Sequence, residues 1–139
     1  MSKPVIICVD DERLVLDSLK IELRKFFADR CIYEFADSAE EGLEIVEDLH
    51  EEDPESRKVI LSDWWMPGMK GDELLINVHE KYPSVVTIML TGQASEAAIS
   101  DVKEKANLHC CVRKPWNYEE LMEILQNVLE SEIVTSDRL

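Results

Sequence analysis

Apolar positions along this chain follow two alternating periods. Five short runs rich in β-branched residues, at 5–9, 31–35, 59–61, 85–90 and 108–112, read as strands. Between them apolar residues recur three and four apart, the spacing of one helix face. Leu16, Leu19, Leu23 and Phe26 predict the first helix. Leu43, Val46 and Leu49 predict the second, which opens on Ser38-Ala39-Glu40-Glu41, a capping box in which Ser38 caps and Glu41 reaches back. The third runs over about 72–81 on Leu74, Leu75 and Val78, and Pro83 ends it. Ala98, Ile99, Val102 and Ala106 mark the fourth. The fifth begins with another cap pattern, Asn117-Tyr118-Glu119-Glu120, and continues through Leu121, Ile124, Leu125 and Val128. Strands alternating with helices predict a (βα)5 doubly wound α/β domain, a parallel sheet covered on both faces with right-handed crossovers. The polar residues after Ser131 read as a frayed end or the start of a linker.

Composition narrows the class. The 139 residues fit one domain with one core, and 45% hydrophobic content suffices to fill it. Thirty acids against 15 bases give a net charge of −15, which argues against non-specific nucleic-acid binding and suits a cation site or a basic partner. Glu40, Glu41, Glu44, Glu47, Glu51 and Glu52 read as a solvated helix face. No run reaches the length of a membrane span, and MSKPVIICVDDE is not a signal peptide, so the expected location is the cytoplasm. Cys8, Cys31, Cys110 and Cys111 form no CxxC or Cys/His pattern, which argues against structural zinc. Cys8 and Cys31 read as reduced core residues, and adjacent Cys110 and Cys111 as pointing to opposite sides of a strand.

Ligands of open α/β sheets bind at the carboxyl ends of the strands. The first strand ends in Asp10-Asp11-Glu12, the third in Asp63, the fourth in Thr91-Gly92 and the fifth in Lys114-Pro115. Three converging carboxylates repel one another, and a hard divalent cation such as Mg²⁺ resolves the repulsion with oxygen ligands. Lys114 adds a mobile cation that can pair with Asp63 or a phosphoryl oxygen, and Thr91 adds a hydroxyl donor. Such a set suits phosphoryl transfer with Asp63 as nucleophile. Singly, each residue has a plainer reading: Asp10 and Asp11 as a helix cap, Thr91 as a turn, Lys114 as surface.

With these residues placed, VDDE (9–12), SDWWMPGMKG (62–71), MLTG (89–92) and RKPW (113–116) resemble the receiver domain of two-component response regulators. The resemblance covers about residues 3–130. It implies the flavodoxin-like three-layer sandwich with strand order 2-1-3-4-5, a receiver domain at 1–130, and a tail or linker at 131–139. It implies Asp63 as phosphoacceptor; Asp10, Asp11, Asp63 and the Trp65 main-chain carbonyl as Mg²⁺ ligands; Thr91 as switch hydroxyl; Lys114 as phosphoryl-binding lysine; and a cis peptide bond before Pro115 that aims Lys114 inward. The phosphodonor would be a sensor histidine kinase or histidine phosphotransfer protein, with small donors such as acetyl phosphate also serving. Such a domain is not an enzyme, beyond promoting its own phosphorylation and dephosphorylation.

The resemblance also places Trp65 and Gln93 beside the path of the attacking water, and Leu14 and Val15 near the kinase contact surface. Met66-Pro67-Gly68 reads as a rigid turn, and Gly71 as allowing a tight start to the next helix. The face made by the fourth helix, fifth strand and fifth helix would serve output or homodimer formation. TGQA (91–94), NL (107–108) and KPW (114–116) also resemble receivers that precede larger output modules, such as cyclic-nucleotide enzymes or hybrid kinases. One departure stands out: where many receivers carry Tyr or Phe three residues before the lysine, this chain has Cys111. Trp116 or His109 are alternatives for transmitting the change, and His109 also reads as plain surface. Rival readings fit less well. A phosphohydrolase of the haloacid dehalogenase type would carry Asp at position 65, and an FMN carrier would need a first loop rich in Ser, Thr and Gly, not Asp-Asp-Glu. A pseudo-receiver scaffold would have lost part of the acid, threonine and lysine set.

Overall fold

The computed structural model describes residues 3–92 and 95–137, with side chains through residue 130. Its elements are β1 (Val5–Val9), α1 (Arg13–Phe27), a 3₁₀ turn (Ala28–Arg30), β2 (Ile32–Ala36), α2 (Ala39–Glu52), β3 (Lys58–Ser62), α3 (Gly71–Lys81), β4 (Val86–Thr91), α4 (Glu96–Lys105), β5 (Cys110–Arg113) and α5 (Tyr118–Asp137). The five strands are all parallel and lie in the order β2-β1-β3-β4-β5. Both the (βα)5 class and the strand order expected from the sequence hold.

The alternation of side chains along each strand divides the interior into two cores. Val5, Ile7, Val9, Ile60 and Met89 face Val46 of α2, Leu74, Leu75 and Val78 of α3, and Val102 of α4. Ile6, Cys8, Val59, Leu61, Ile88 and Leu90 face Leu19 and Leu23 of α1 and Leu121 and Leu125 of α5. With helices on both sides, the central strands have no polar face, which is why β1 and β3 are buried throughout. Cys8 and Cys31 lie in the second core as free thiols. Cys110 packs toward the second core and Cys111 toward the first, the opposed pair the sequence predicts.

Some margins differ from expectation. The strand predicted at 108–112 is Cys110–Arg113, because the chain reverses after α4 with Asn107 at φ 49° and the Leu108 N–H donating to Lys103 O. Leu108 is buried as a plug of that turn and makes no strand. The Ser38 hydroxyl accepts from Glu41 N (3.2 Å) as a cap, but Glu41 Oε1 reaches one residue further, to Asp37 N (3.1 Å). Asn117 Oδ1 accepts from Glu120 N at 2.9 Å, the predicted cap of α5. The α5 backbone stays helical to Asp137, past Ser131, where the sequence reads as leaving the domain. At the amino end of the sheet, buried Lys58 donates to Asp53 O (2.7 Å) and Ser56 O (3.1 Å), closing the α2–β3 connection. Among the described residues, no helix is long and apolar enough to cross a membrane.

Candidate functional site at the carboxyl edge of the sheet

The sheet's hydrogen bonding runs one residue past the strands and seats the acids. Asp10 N donates to Ala36 O (3.1 Å), Asp63 N to Val9 O (3.0 Å), and Lys114 N to Thr91 O (3.1 Å). Asp10 and Asp63 are buried, whereas Asp11 is exposed. Carboxylate oxygens of all three lie within 4.8 Å of one another. Lys114 Nζ donates to Asp10 Oδ2 at 2.7 Å and lies 3.6 Å from Asp63 Oδ1 and 3.5 Å from Glu12 Oε1. The sequence suggested Asp63 as its resting partner; Asp10 is nearer, and Asp63 Oδ1 accepts from Trp64 N (2.9 Å). Asp10 Oδ1 accepts from Glu12 N (2.9 Å) in a local turn; the cap position of α1 falls to Glu12, with no side-chain cap bond, so Asp10 is not the helix cap of its plainer reading, and its other oxygen serves the cluster.

The electrostatics follow from one ammonium among several acids. Burial pushes the Asp63 carboxyl above the usual range; the Lys114 charge opposes this and the Asp10 charge adds to it. Burial likewise raises Asp10, against the hydrogen bond from Lys114. For Lys114 burial acts downward, but the hydrogen bond and charge of Asp10, with Asp63 and Glu12, outweigh it and hold the ammonium above its usual value. The donor set is all oxygen and under-neutralised, which fits a hard divalent cation and disfavours soft metals.

The loop that follows Asp63 is fixed at several points. A Cβ at position 71 would land on the Asp63 carbonyl oxygen, so only glycine lets α3 start there. Gly71 N donates to Trp64 O (3.0 Å), and the buried Ser62 hydroxyl donates to Asp63 O (3.0 Å). Gly68 takes φ 79°, which glycine adopts without strain. Beside it Glu40 Oε2 accepts from Met69 N (3.2 Å), so Glu40 is a strap on this loop and not merely part of a solvated face. Met66 is fully buried, and Trp64 packs on the first core. Trp65 is 51% exposed and lines a cleft of ≈ 240 Å³ with Asp11, Glu12, Asp63, Gly92 and Lys114. Lys70 Nζ lies 3.9 Å from the centroid of its ring, and the Trp64 ring is 5.6 Å away.

The remaining predicted residues divide. Thr91 ends β4 and is fully buried. The Lys114–Pro115 bond is cis, as expected. Gln93 lies outside the described residues. Leu14 is 80% exposed, but Val15 is half-buried against the second core, so the two do not form one patch. Cys111 is half-buried and lies away from the cleft; Trp116 Nε1 donates to Glu22 Oε1 (2.8 Å), tying the β5–α5 connection to α1. His109 is exposed, in line with its surface reading. Sequence reasoning gave no role to Ser62, Lys70 or the strap by Glu40. Only Glu12 carried a signal, as the third acid of the first strand end.

Comparison with known proteins agrees with this arrangement. A family model described as "Response regulator receiver domain" matches residues 6–126. The chain is 29% identical over 126 residues to a chemotaxis protein CheY homolog of Campylobacter jejuni, covering 89% of this chain and 91% of that protein. It is 35% identical over 80 residues to the hydrogenase transcriptional regulatory protein HoxA of Cupriavidus necator, covering 57% of this chain but only 16% of that protein's length. The crystal structure of a CheY-like response regulator receiver domain protein from Methanospirillum hungatei superposes with a TM-score of 0.81 at 31% identity, covering 96% of this chain and 99% of that one. With the acid pocket and its lysine in place at the carboxyl edge, the chain belongs to the response regulator receiver domain family.

Proposed function

We propose that this domain is a two-component phosphoswitch, in which Asp63 takes a phosphoryl group from a histidine kinase or histidine phosphotransfer protein. The observation that supports it best is the meeting of the Asp10, Asp11 and Asp63 oxygens within 4.8 Å, with Lys114 alongside. An oxygen of Asp63 attacks phosphorus, the P–N bond of the phosphohistidine breaks, and the imidazole nitrogen leaves with the electron pair. Lys114 exchanges Asp10 for a phosphoryl oxygen, and the Thr91 hydroxyl donates to another. Asp10, Asp11, Asp63 and the Trp65 carbonyl would hold Mg²⁺, which supplies positive charge against the phosphoryl oxygens. Trp65, with Gln93, sets water access to the phosphoryl group.

The same reading gives the surroundings roles. Exposed Leu14, more than half-buried Val15, docks the phosphodonor. The α4–β5–α5 face carries output or homodimer contacts. Residues 1–130 make the receiver and 131–139 lead away from it, in a cytoplasmic protein. Neither nucleic acid nor membrane is a direct partner of this domain. A specific observation keeps a scaffold reading in view: Cys111 stands where an aromatic switch residue is usual, so the acid site would work without that coupling.

Intact mass after incubation with acetyl phosphate tests the proposal, with Mg²⁺ or EDTA and beside Asp63→Asn. A single phosphoryl adduct that requires Mg²⁺ and is lost in the variant is expected. No adduct, together with no binding of beryllofluoride, would leave the pseudo-receiver scaffold as the better reading.

A further inference from the structure

Trp65 is a large apolar side chain half in solvent at the lip of the acid cleft, a position that by itself gives an indole many orientations. Two contacts restrict it. The Lys70 ammonium lies over its ring at 3.9 Å, and the Trp64 ring packs at 5.6 Å and a 43° tilt. Trp64 is anchored in turn on the first core. Lys70 itself is held by the backbone: it is the N-cap residue of α3, one position before Gly71, whose backbone is pressed against the Asp63 carbonyl. A lysine on that backbone has a fixed root from which its stem reaches the indole. Other cation–aromatic contacts occur among the described residues, at 5.2 to 5.9 Å, but they lie on α1, the 3₁₀ turn, β2 and α5, and none of their residues lines the cleft. Lys70 pairs closest, and with the aromatic ring that borders Asp63.

We infer that Lys70 is a positioning residue for the lifetime of the phosphorylated state. By holding the Trp65 indole over the cleft it narrows the approach of water to the phosphoryl group. This rests on Asp63 being the phosphoacceptor. In the step it slows, a water oxygen attacks phosphorus and the bond from phosphorus to the Asp63 oxygen breaks. The carboxylate leaves with the electron pair, the water gives up its proton to solvent, and inorganic phosphate departs. Lys70 touches none of the reacting atoms. Its effect passes through the ring, so it requires a cation there and not a particular amine.

The test follows loss of the phosphoryl adduct by intact mass after acetyl phosphate is removed, in excess Mg²⁺. It uses the wild-type chain, Lys70→Met, Lys70→Arg and Trp65→Ala. Methionine keeps the stem without the charge, and arginine keeps the charge over the ring. Lys70→Met is expected to lose its adduct about two- to fivefold faster, the range set by a partly exposed cation–π contact. Lys70→Arg should stay near wild type, and Lys70→Met should add nothing in a Trp65→Ala background. Acrylamide quenching of tryptophan fluorescence should rise in Lys70→Met and not in Lys70→Arg. Equal lifetimes in wild type and Lys70→Met would overturn the inference, as would a matching acceleration in Lys70→Arg. If the wild-type chain takes no adduct and binds no beryllofluoride, the phosphoacceptor reading fails first and this inference falls with it. If it takes one and only Lys70 proves silent, the phosphoacceptor reading stands.

Discussion

Two lysines lie at opposite ends of this sheet and are stabilised in different ways. Lys58, at the amino end of β3, donates to two main-chain carbonyls five and two residues away. Burial lowers its ammonium below the usual lysine value, against the charge of Asp53. Lys114, past the carboxyl end of β5, meets carboxylates 104 and 102 residues away, and they hold its ammonium above the usual value despite burial. At the amino end a charge is enclosed by local dipoles and the account is closed. At the carboxyl end the acids outnumber their cation, so charge of the opposite sign is still wanted there. A buried charge satisfied by its own loop supports the fold, whereas a cluster assembled from several strands and left unbalanced marks the place where a ligand acts.

The contrast can be broken most severely at Gly71. Gly71→Ala forces a methyl onto the Asp63 carbonyl and should cost about 4 kcal/mol, the upper end for single substitutions, in urea unfolding. A loss under 1 kcal/mol would mean that the loop shifts freely and does not fix the acid. Lys114→Met comes next. Without divalent cation it leaves Asp10 buried beside Asp63 with no ammonium, and about 3 kcal/mol should be lost, the low end for breaking a buried pair. Saturating Mg²⁺ should return much of that. Lys58→Met should cost about 2 kcal/mol through two carbonyls left without their donor, and Mg²⁺ should restore none of the loss. Equal rescue of both lysine variants by Mg²⁺ would erase the distinction between the two ends.

The smallest effect concerns pH. A carboxyl whose pKa is raised on folding holds its proton more tightly in the folded chain than in the unfolded one. Stability is therefore lost as pH rises from the ordinary aspartate value of 3.8 through the raised value of Asp63. Asp63→Asn removes this loss. In metal-free buffer the variant should melt higher than wild type at neutral pH, and the difference should shrink below pH 3.8. A difference that did not change with pH would place its origin outside the carboxylate.

Much of this was legible in the sequence because it depends on period and order. The β-branched runs marked the strands and the helical stripes the helices, and the strand-edge rule gathered Asp10, Asp11, Asp63, Thr91 and Lys114 without distances. What escaped depends on where loops run. Nothing in a one-dimensional pattern says that Asp63 accepts from Trp64 N or that Lys114 rests nearer to Asp10. Glu40 looks like any acid on a charged helix until Gly68 and Met69 arrive beneath it, 28 and 29 residues later. Leu108 has the residue type of a strand, and a positive φ at Asn107 makes it a turn plug. Leu14 and Val15 are neighbours in sequence, but the turn of α1 sends one to solvent and the other to the core.

The long reach from Lys114 to Asp10 also bears on how the chain is made. A ribosome delivers Asp10, Asp11 and Asp63 well before β5 leaves the exit tunnel. The acids therefore leave the ribosome before the ammonium that offsets them. The charge balance of this edge thus belongs to the complete chain: it closes only when nearly the whole domain has been synthesised.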